Sequence, residues 1–312
     1  MQENAPIKRS PLLPHSPSPP LPFYTPHPIP SPLTPPMPRI LMCPPEFYGI
    51  EYEINPWMSR QRQSDRVVAQ GQWESLRTLL TAAGAEIVLQ PPVAGLPDLV
   101  FTANAALIYR EAAVLARFKH VQRQGETPHD EAWLQAAGFR TQHPPASVFF
   151  EGAGDALFCG DTLFAGYRIR SDARGHQQIG ELLGVRVIPL ELVNDYYYHL
   201  DTCFCPLAPG VAIYFPGAFD EYGRQALAAH VPELIPVAEE EARHFACNAV
   251  VVGQTVVTNS GCPELHRALA ERGFTPQETP LGEFVKSGGS AKCLTLRLDG
   301  EEAASWKSEG AQ

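Results

Sequence analysis

Phe150-Glu-Gly-Ala-Gly-Asp-Ala-Leu-Phe158 is the stretch from which the fold of this 312-residue chain is read. It sets two carboxylates, Glu151 and Asp155, between an aromatic residue and an apolar run. Upstream lie a short amphipathic segment (residues 131–135), Gly138 and an extended segment (residues 139–142). The same order recurs four more times. Residues 73–80, Gly84 and residues 85–90 lead to Phe101-Thr-Ala-Asn104. Residues 178–183, Gly184 and residues 185–190 lead to Tyr198-His199-Leu-Asp201-Thr202. Residues 224–230 and 233–237 lead to Phe245-Ala-Cys-Asn248. Residues 265–270, Gly273 and residues 274–277 lead to Lys286-Ser-Gly-Gly-Ser-Ala-Lys-Cys293. The aromatics at 101, 150, 198 and 245 stand 49, 48 and 47 residues apart.

A repeat of this size is a structural unit. The amphipathic segments predict helices, and their glycines suit the left-handed position after a helix end. The Val-, Ile- and Leu-rich segments predict strands. One unit alone is too small to bury its apolar face, whereas several stacked around an axis bury one core.

Equivalent positions would then converge at one end of that axis. Those positions hold Asn104, Glu151 with Asp155, His199 with Asp201, Asn248 and Cys293. A cysteine in a strand is usually a small buried hydrophobe, and a carboxylate in an apolar segment is often half of a structural ion pair. Cys293 differs in following a Ser-Gly-Gly-Ser loop, which allows close backbone approach and can present N–H groups to a charge. Glu151 and Asp201 are costly to bury unpaired. Several such exceptions at equivalent positions point to a site.

Composition narrows the choices. Thirty-four acidic against 24 basic residues give a net charge of −10, which argues against binding a phosphate backbone or an anionic membrane surface. No apolar run approaches the roughly 18 residues of a membrane span. Seven scattered cysteines, an odd number, argue against a disulfide framework and for a reducing, cytoplasmic compartment. There is no nucleotide-binding loop, and Cys203-x-Cys205 is the nearest approach to a metal motif. Residues 1–38 hold 14 of the 32 prolines and read as a disordered or polyproline II extension. The catalytic domain is expected over residues 39–300, with a flexible tail at 301–312.

The motifs Phe101-Thr-Ala-Asn104, Glu151-Gly-Ala-Gly-Asp155, His199-Leu-Asp201-Thr202 and Ser287-Gly-Gly-Ser-Ala-Lys-Cys293-Leu294 resemble, in order, those of the guanidino-group-modifying enzymes of the pentein superfamily. The resemblance covers about residues 39–298. It implies an α/β fold, a five-bladed α/β propeller of ββαβ-type units. It also implies Cys293 as a nucleophile toward a guanidinium carbon, His199 as acid and base, and Glu151 as the group that holds the guanidinium and orients the imidazole. Asp201 would take a second edge of the cation. Arg123 and Arg170 lie where the family holds the substrate's α-carboxylate; Arg170 matches better, with Arg168 the competing choice. Asp98 would meet the α-amino group.

Where deiminases and dimethylarginine hydrolases end the first motif with Asp, this chain has Asn104, and Asn55 is a second amide expected near the axis. Two amides there resemble the cyanobacterial arginine dihydrolases, which convert arginine to ornithine, carbon dioxide and ammonia. An amide can donate to a neutral ureido oxygen as a carboxylate cannot. The alternatives are a dimethylarginine dimethylaminohydrolase or arginine deiminase, an amidinotransferase, and a non-catalytic pentein. The implied partner is a small guanidino molecule, with no cofactor and no metal.

Overall fold

The computed structural model describes residues 37–309, within the unit Pro35–Gln312. The expected extension at 1–38 thus lies outside the described residues, apart from its last two. The described residues make five three-stranded sheets.

Strand β1 (Arg39–Met42) is joined through α1 (Arg66–Ala82) to β2 (Glu86–Leu89). The next unit is β3 (Ala106–Tyr109), β4 (Ala112–Leu115), α2 (Thr127–Ala136) and β5 (Arg140–Gln142). Then come β6 (Ala156–Cys159), β7 (Thr162–Tyr167), α3 (Ala173–Leu183) and β8 (Arg186–Glu191). The fourth is β9 (Phe204–Ala208), β10 (Val211–Tyr214), α4 (Glu221–His230) and β11 (Glu233–Pro236). A short α5 (Glu239–Ala242) precedes β12 (Val250–Val252), β13 (Thr255–Asn259), α6 (Pro263–Ala270) and β14 (Thr275–Thr279). Last are α7 (Gly282–Val285), β15 (Leu296–Arg297) and α8 (Trp306–Glu309).

Each complete unit pairs its first two strands antiparallel and its last two parallel across the helix. The first sheet is completed from both ends of the fold: β15 pairs antiparallel with β1, Leu41 opposite Leu296. The helices form for the expected reasons. In α1 the side chain of Asp65 caps the amides of Val67 and Val68, and Ala69, Trp73, Leu76 and Leu80 make one buried stripe. Gly184, at φ 66°, ends α3 in the left-handed conformation its sequence position predicted.

Burial falls across each sheet. Strands β6, β12 and β15 are buried throughout, and β3 and β9 all but their last residue. Their outer counterparts β2, β5, β8, β11 and β14 are half exposed. A strand buried on both faces reads as a continuous apolar run, as Val250-Val-Val252 and Ala156-Leu-Phe-Cys159 do.

Residues 301–309 depart from the flexible tail expected there. Ala303 and Ala304 are buried, and the ring of Trp306 packs edge-on against Phe158 and Tyr109. The charged composition of this segment hid its ion pairs, Glu302 with Arg297, Glu301 with Lys292 and Lys307 with Asp299. No helix among the described residues is long and apolar enough to cross a membrane.

Candidate active site

Three short 3-10 turns, Thr102–Asn104, Gly152–Gly154 and Leu200–Thr202, link the repeated aromatics to the inner strands. His199 precedes a turn closed by Thr202 N–H donating to the His199 carbonyl. The glycines of the quoted stretch allow these turns to meet. A Cβ on Gly154 would stand 2.2 Å from Asn104 Nδ2, and one on Gly152, at φ +63°, 2.7 Å from the Asn104 carbonyl oxygen. The Ser-Gly-Gly-Ser loop is equally tight: a Cβ on Gly289 would lie 2.4 Å from the Phe101 ring. Its close approach is therefore to aromatic rings of the protein.

A pocket of about 270 Å³ is lined by Asn55, Asp98, Asn104, Arg123, Arg170, His199 and Cys293, with Ile54, Met58, Phe101, Tyr198, Ser287 and Gly289. Glu151 and Asp201, fully buried, stand behind it and reach its walls by hydrogen bonds. The nine residues expected to act on or bind the substrate thus converge, whereas Arg168, the competing choice, does not join them.

Glu151 Oε2 receives His199 Nε2 at 2.7 Å and Arg170 Nη1 at 3.0 Å. Its Oε1 receives the Lys119 amide at 3.1 Å. Burial alone would raise this carboxyl, but Arg170 and His199 outweigh burial and hold it well below the usual range. Burial lowers His199 to about 4 in spite of Glu151. The imidazole is therefore neutral near pH 7. With Nε2–H directed to Glu151, Nδ1 carries the lone pair. Both oxygens of Glu151 are occupied, so its orienting role stands out and its expected contact with a guanidinium does not.

Both arginines are committed to the protein. Arg123 forks onto Glu126 (2.9 and 2.7 Å) and donates to Asn104 Oδ1 at 2.8 Å. Arg170 bridges Glu151 and the Ile54 carbonyl and stacks on Tyr198. Arg168 is half exposed, pairs with Glu191 and does not line the pocket. The expected α-carboxylate contact is not an obvious use of either buried fork.

The amides are also partly engaged. Asn104 Nδ2 donates to the Glu151 carbonyl at 3.1 Å, which leaves its second hydrogen. Asn55 Oδ1 accepts from the Trp57 and Met58 amides, and its Nδ2 donates to the Ser287 carbonyl.

Cys293 Sγ lies 3.4 Å from Asp201 Oδ2. Burial, then Asp201, pushes the thiol up. Burial likewise pushes Asp201 up to about 7, against the pull of Lys292. Asp98 Oδ1 and Asp201 Oδ1 are buried without a well-formed hydrogen bond, with the Tyr52 hydroxyl near the first carboxylate and the Asn248 amide near the second. A cation with N–H groups is the chemistry that satisfies such atoms.

Two supports carried no assigned role in the sequence. Asp155, noted only as an equivalent position, accepts Ser171 Oγ at 2.6 Å and the Leu200 amide at 3.1 Å, steadying the His199 turn. Ser171 stands out by no feature of its sequence neighbourhood; its hydroxyl accepts the Glu151 amide at 3.0 Å only through folding. Among the described residues no group of three or more His, Cys, Asp or Glu side chains is placed to hold a metal ion.

Residues 53–298 match the family described as N,N dimethylarginine dimethylhydrolase, eukaryotic. The chain is 46% identical over 265 residues to the bifunctional arginine dihydrolase/ornithine cyclodeaminase ArgZ of Synechocystis sp., a match covering 83% of this chain and 37% of that protein. The chain thus spans well under half the length of that relative. It is 39% identical over 268 residues to the N(G),N(G)-dimethylarginine dimethylaminohydrolase of Mycobacterium tuberculosis, covering 85% and 87% of the two chains. A solved structure of the substrate-bound N-terminal domain of cyanobacterial ArgZ superposes with a TM-score of 0.82 at 44% identity, covering 86% of this chain and 99% of that one.

Proposed function

The chain belongs to the N,N-dimethylarginine dimethylhydrolase family, and from that premise we propose that it hydrolyses the guanidino group of arginine through a covalent bond to Cys293, as an arginine dihydrolase. The observation that carries this reading is the pocket. Cys293, a histidine oriented by Glu151, and the buried carboxylate of Asp98 line one narrow pocket, with Asp201 close behind the sulfur.

The Cys293 sulfur adds to the guanidinium carbon. His199, neutral at first, takes the thiol's proton as the sulfur adds, and the C–N bond breaks as it passes that proton to the departing nitrogen, which leaves as ammonia. His199, neutral again, takes a proton from water, the hydroxide adds to the thiouronium carbon, and the C–S bond breaks to return the thiolate. One round consumes one water and yields citrulline. A second round on the ureido group consumes another water and yields ornithine, carbon dioxide and ammonia. Asp201 and Asp98 hold the two cationic ends of the substrate. Asn104, fixed through Oδ1 by Arg123, offers its remaining Nδ2 hydrogen to the ureido oxygen.

We also infer that the five sheets stand around one axis as a five-bladed propeller. The inner strands are buried although they edge their sheets, and the turns beside three of them meet at one pocket. Seven cysteines without disulfides fit a reducing, cytoplasmic setting.

The family match and the mycobacterial relative favour one second reading, hydrolysis of dimethylarginine to citrulline and dimethylamine. Purified protein incubated separately with arginine and dimethylarginine distinguishes them. We expect ornithine and ammonia from arginine, and Asn104→Asp to shift the products toward citrulline by about tenfold, the worth of one hydrogen bond to the intermediate. Citrulline that accumulates and is never consumed overturns the dihydrolase reading. Turnover of dimethylarginine alone establishes the second.

A further inference from the structure

We propose that Asn248 is a positioning residue that aims the Cys293 sulfur and favours its thiolate. The proposal rests on Cys293 being the nucleophile, as proposed above, but not on the identity of the substrate.

Asn248 is fully buried. Its Oδ1 accepts the Cys293 amide at 3.2 Å. Its Nδ2 donates to Cys293 Sγ at 3.2 Å and to the Asp201 carbonyl at 2.9 Å. Its own carbonyl accepts the Lys292 amide at 3.2 Å. One side chain thus grips both the backbone and the sulfur of Cys293 and ties them to the Asp201 turn. It reaches this position because Phe245, with φ at 60°, turns the chain just before it.

The amide is suited to this task. An N–H pointing at sulfur stabilises the thiolate more than the thiol, because the bond to an anion is stronger. The sulfur needs such help. Asp201 Oδ2 at 3.4 Å opposes ionisation, and burial does the same. The other titratable groups around the pocket are Asp98, Arg123, Arg170, Tyr198 and His199. Lys292, next in the chain, pairs with Glu301. Asn248 Nδ2 is the side-chain donor seen on the sulfur among the described residues. An aspartate at 248 would keep the shape and the acceptor for the Cys293 amide, but would lose the donor.

The test is alkylation of Cys293 by iodoacetamide from pH 6 to 10, followed peptide by peptide by mass spectrometry and compared in wild type, Asn248→Asp and Asn248→Ser. No substrate is present, so an error in the arginine assignment leaves this measurement intact. Loss of the donor is expected to slow alkylation at pH 8 by about tenfold, the worth of one bond to a charged group, and to move the profile to higher pH. Where arginine is turned over, kcat falls by a similar factor and KM stays within twofold. A folded variant, by circular dichroism, whose Cys293 profile matches wild type overturns the proposal. So does a change in KM and kcat together with an unmoved alkylation profile, which marks a structural residue. Should Asn248→Asp fail to fold because of its buried charge, Asn248→Ser is subject to the same expected slowing and the same overturning results.

Discussion

The pocket and the segment that follows β15 both bury ionic groups, and they do so in opposite ways. Behind β15, Arg297 binds Asp299 through both forks, contacts Glu302 and donates to the Val251 carbonyl. Lys307 joins Asp299, and Lys292 joins Glu301. Three cations face three carboxylates, and burial fails to raise Asp299, which its neighbours hold low. Around the pocket, among the described residues, Asp98, Glu126, Glu151, Asp155 and Asp201 outnumber the buried cations Arg123 and Arg170, with Lys292 also pulling on Asp201. Two carboxylate oxygens there lack a well-formed hydrogen bond, and burial raises Asp155 and Asp201. A balanced network serves the fold. An unbalanced one, with excess negative charge and poorly satisfied acceptors, is poised for a cationic ligand.

The sharpest way to break this comparison is Cys293→Ser. If the pocket is a reaction site, turnover falls by at least roughly 10³-fold, since a serine hydroxyl is far less acidic than a thiol. Melting temperature stays within a few degrees. Turnover within tenfold of wild type would reduce the pocket to a second structural network.

Asp201→Asn tests the electrostatic side. The carboxyl titrates near 7 when folded and near 3.8 when unfolded. Below pH 3.8 both states are protonated and the group is neutral in its effect. As pH rises to 7 the unfolded state ionises first, so the native state loses stability. The variant should therefore gain on wild type from pH 4 to 7, with a ceiling of roughly 4 kcal/mol for a shift of about three units, while losing activity. Thermal unfolding across that range reads the gain; a variant that becomes less stable than wild type as pH rises would show Asp201 to be an ordinary stabilising ion pair.

Arg297→Met probes the balanced network. Removing Arg297 takes the main partner from the part-buried carboxylates of Asp299 and Glu302, at a cost of roughly 1–3 kcal/mol. Urea denaturation should show that loss, with KM for the substrate unchanged. Unchanged stability would erase the contrast between the two regions.

Much of this was legible in the sequence because it is local or periodic. The stripe of Trp73, Leu76 and Leu80, the left-handed Gly184 and the alternation of helix and strand depend on backbone geometry and on neighbours a few residues away. So does the repeat that marked Asn104, Glu151, His199, Asp201 and Cys293 as equivalent. Function entered through residue types that are costly to bury and yet sit in apolar surroundings.

What folding alone decided is pairing. Nothing in the sequence says that Arg123 spends its fork on Glu126 and Asn104, that Arg170 grips Glu151, or that Asn248 holds Cys293 across 45 residues. Nor does composition separate the acids of residues 299–302, which are neutralised, from Asp98 and Asp201, which are not. Hydrogen bonds and ion pairs act over a few ångströms, and those distances exist only once the turns of different units meet. The sequence by itself determined which residues bear chemistry; the tertiary structure decided which of them are already satisfied and which remain available to a ligand.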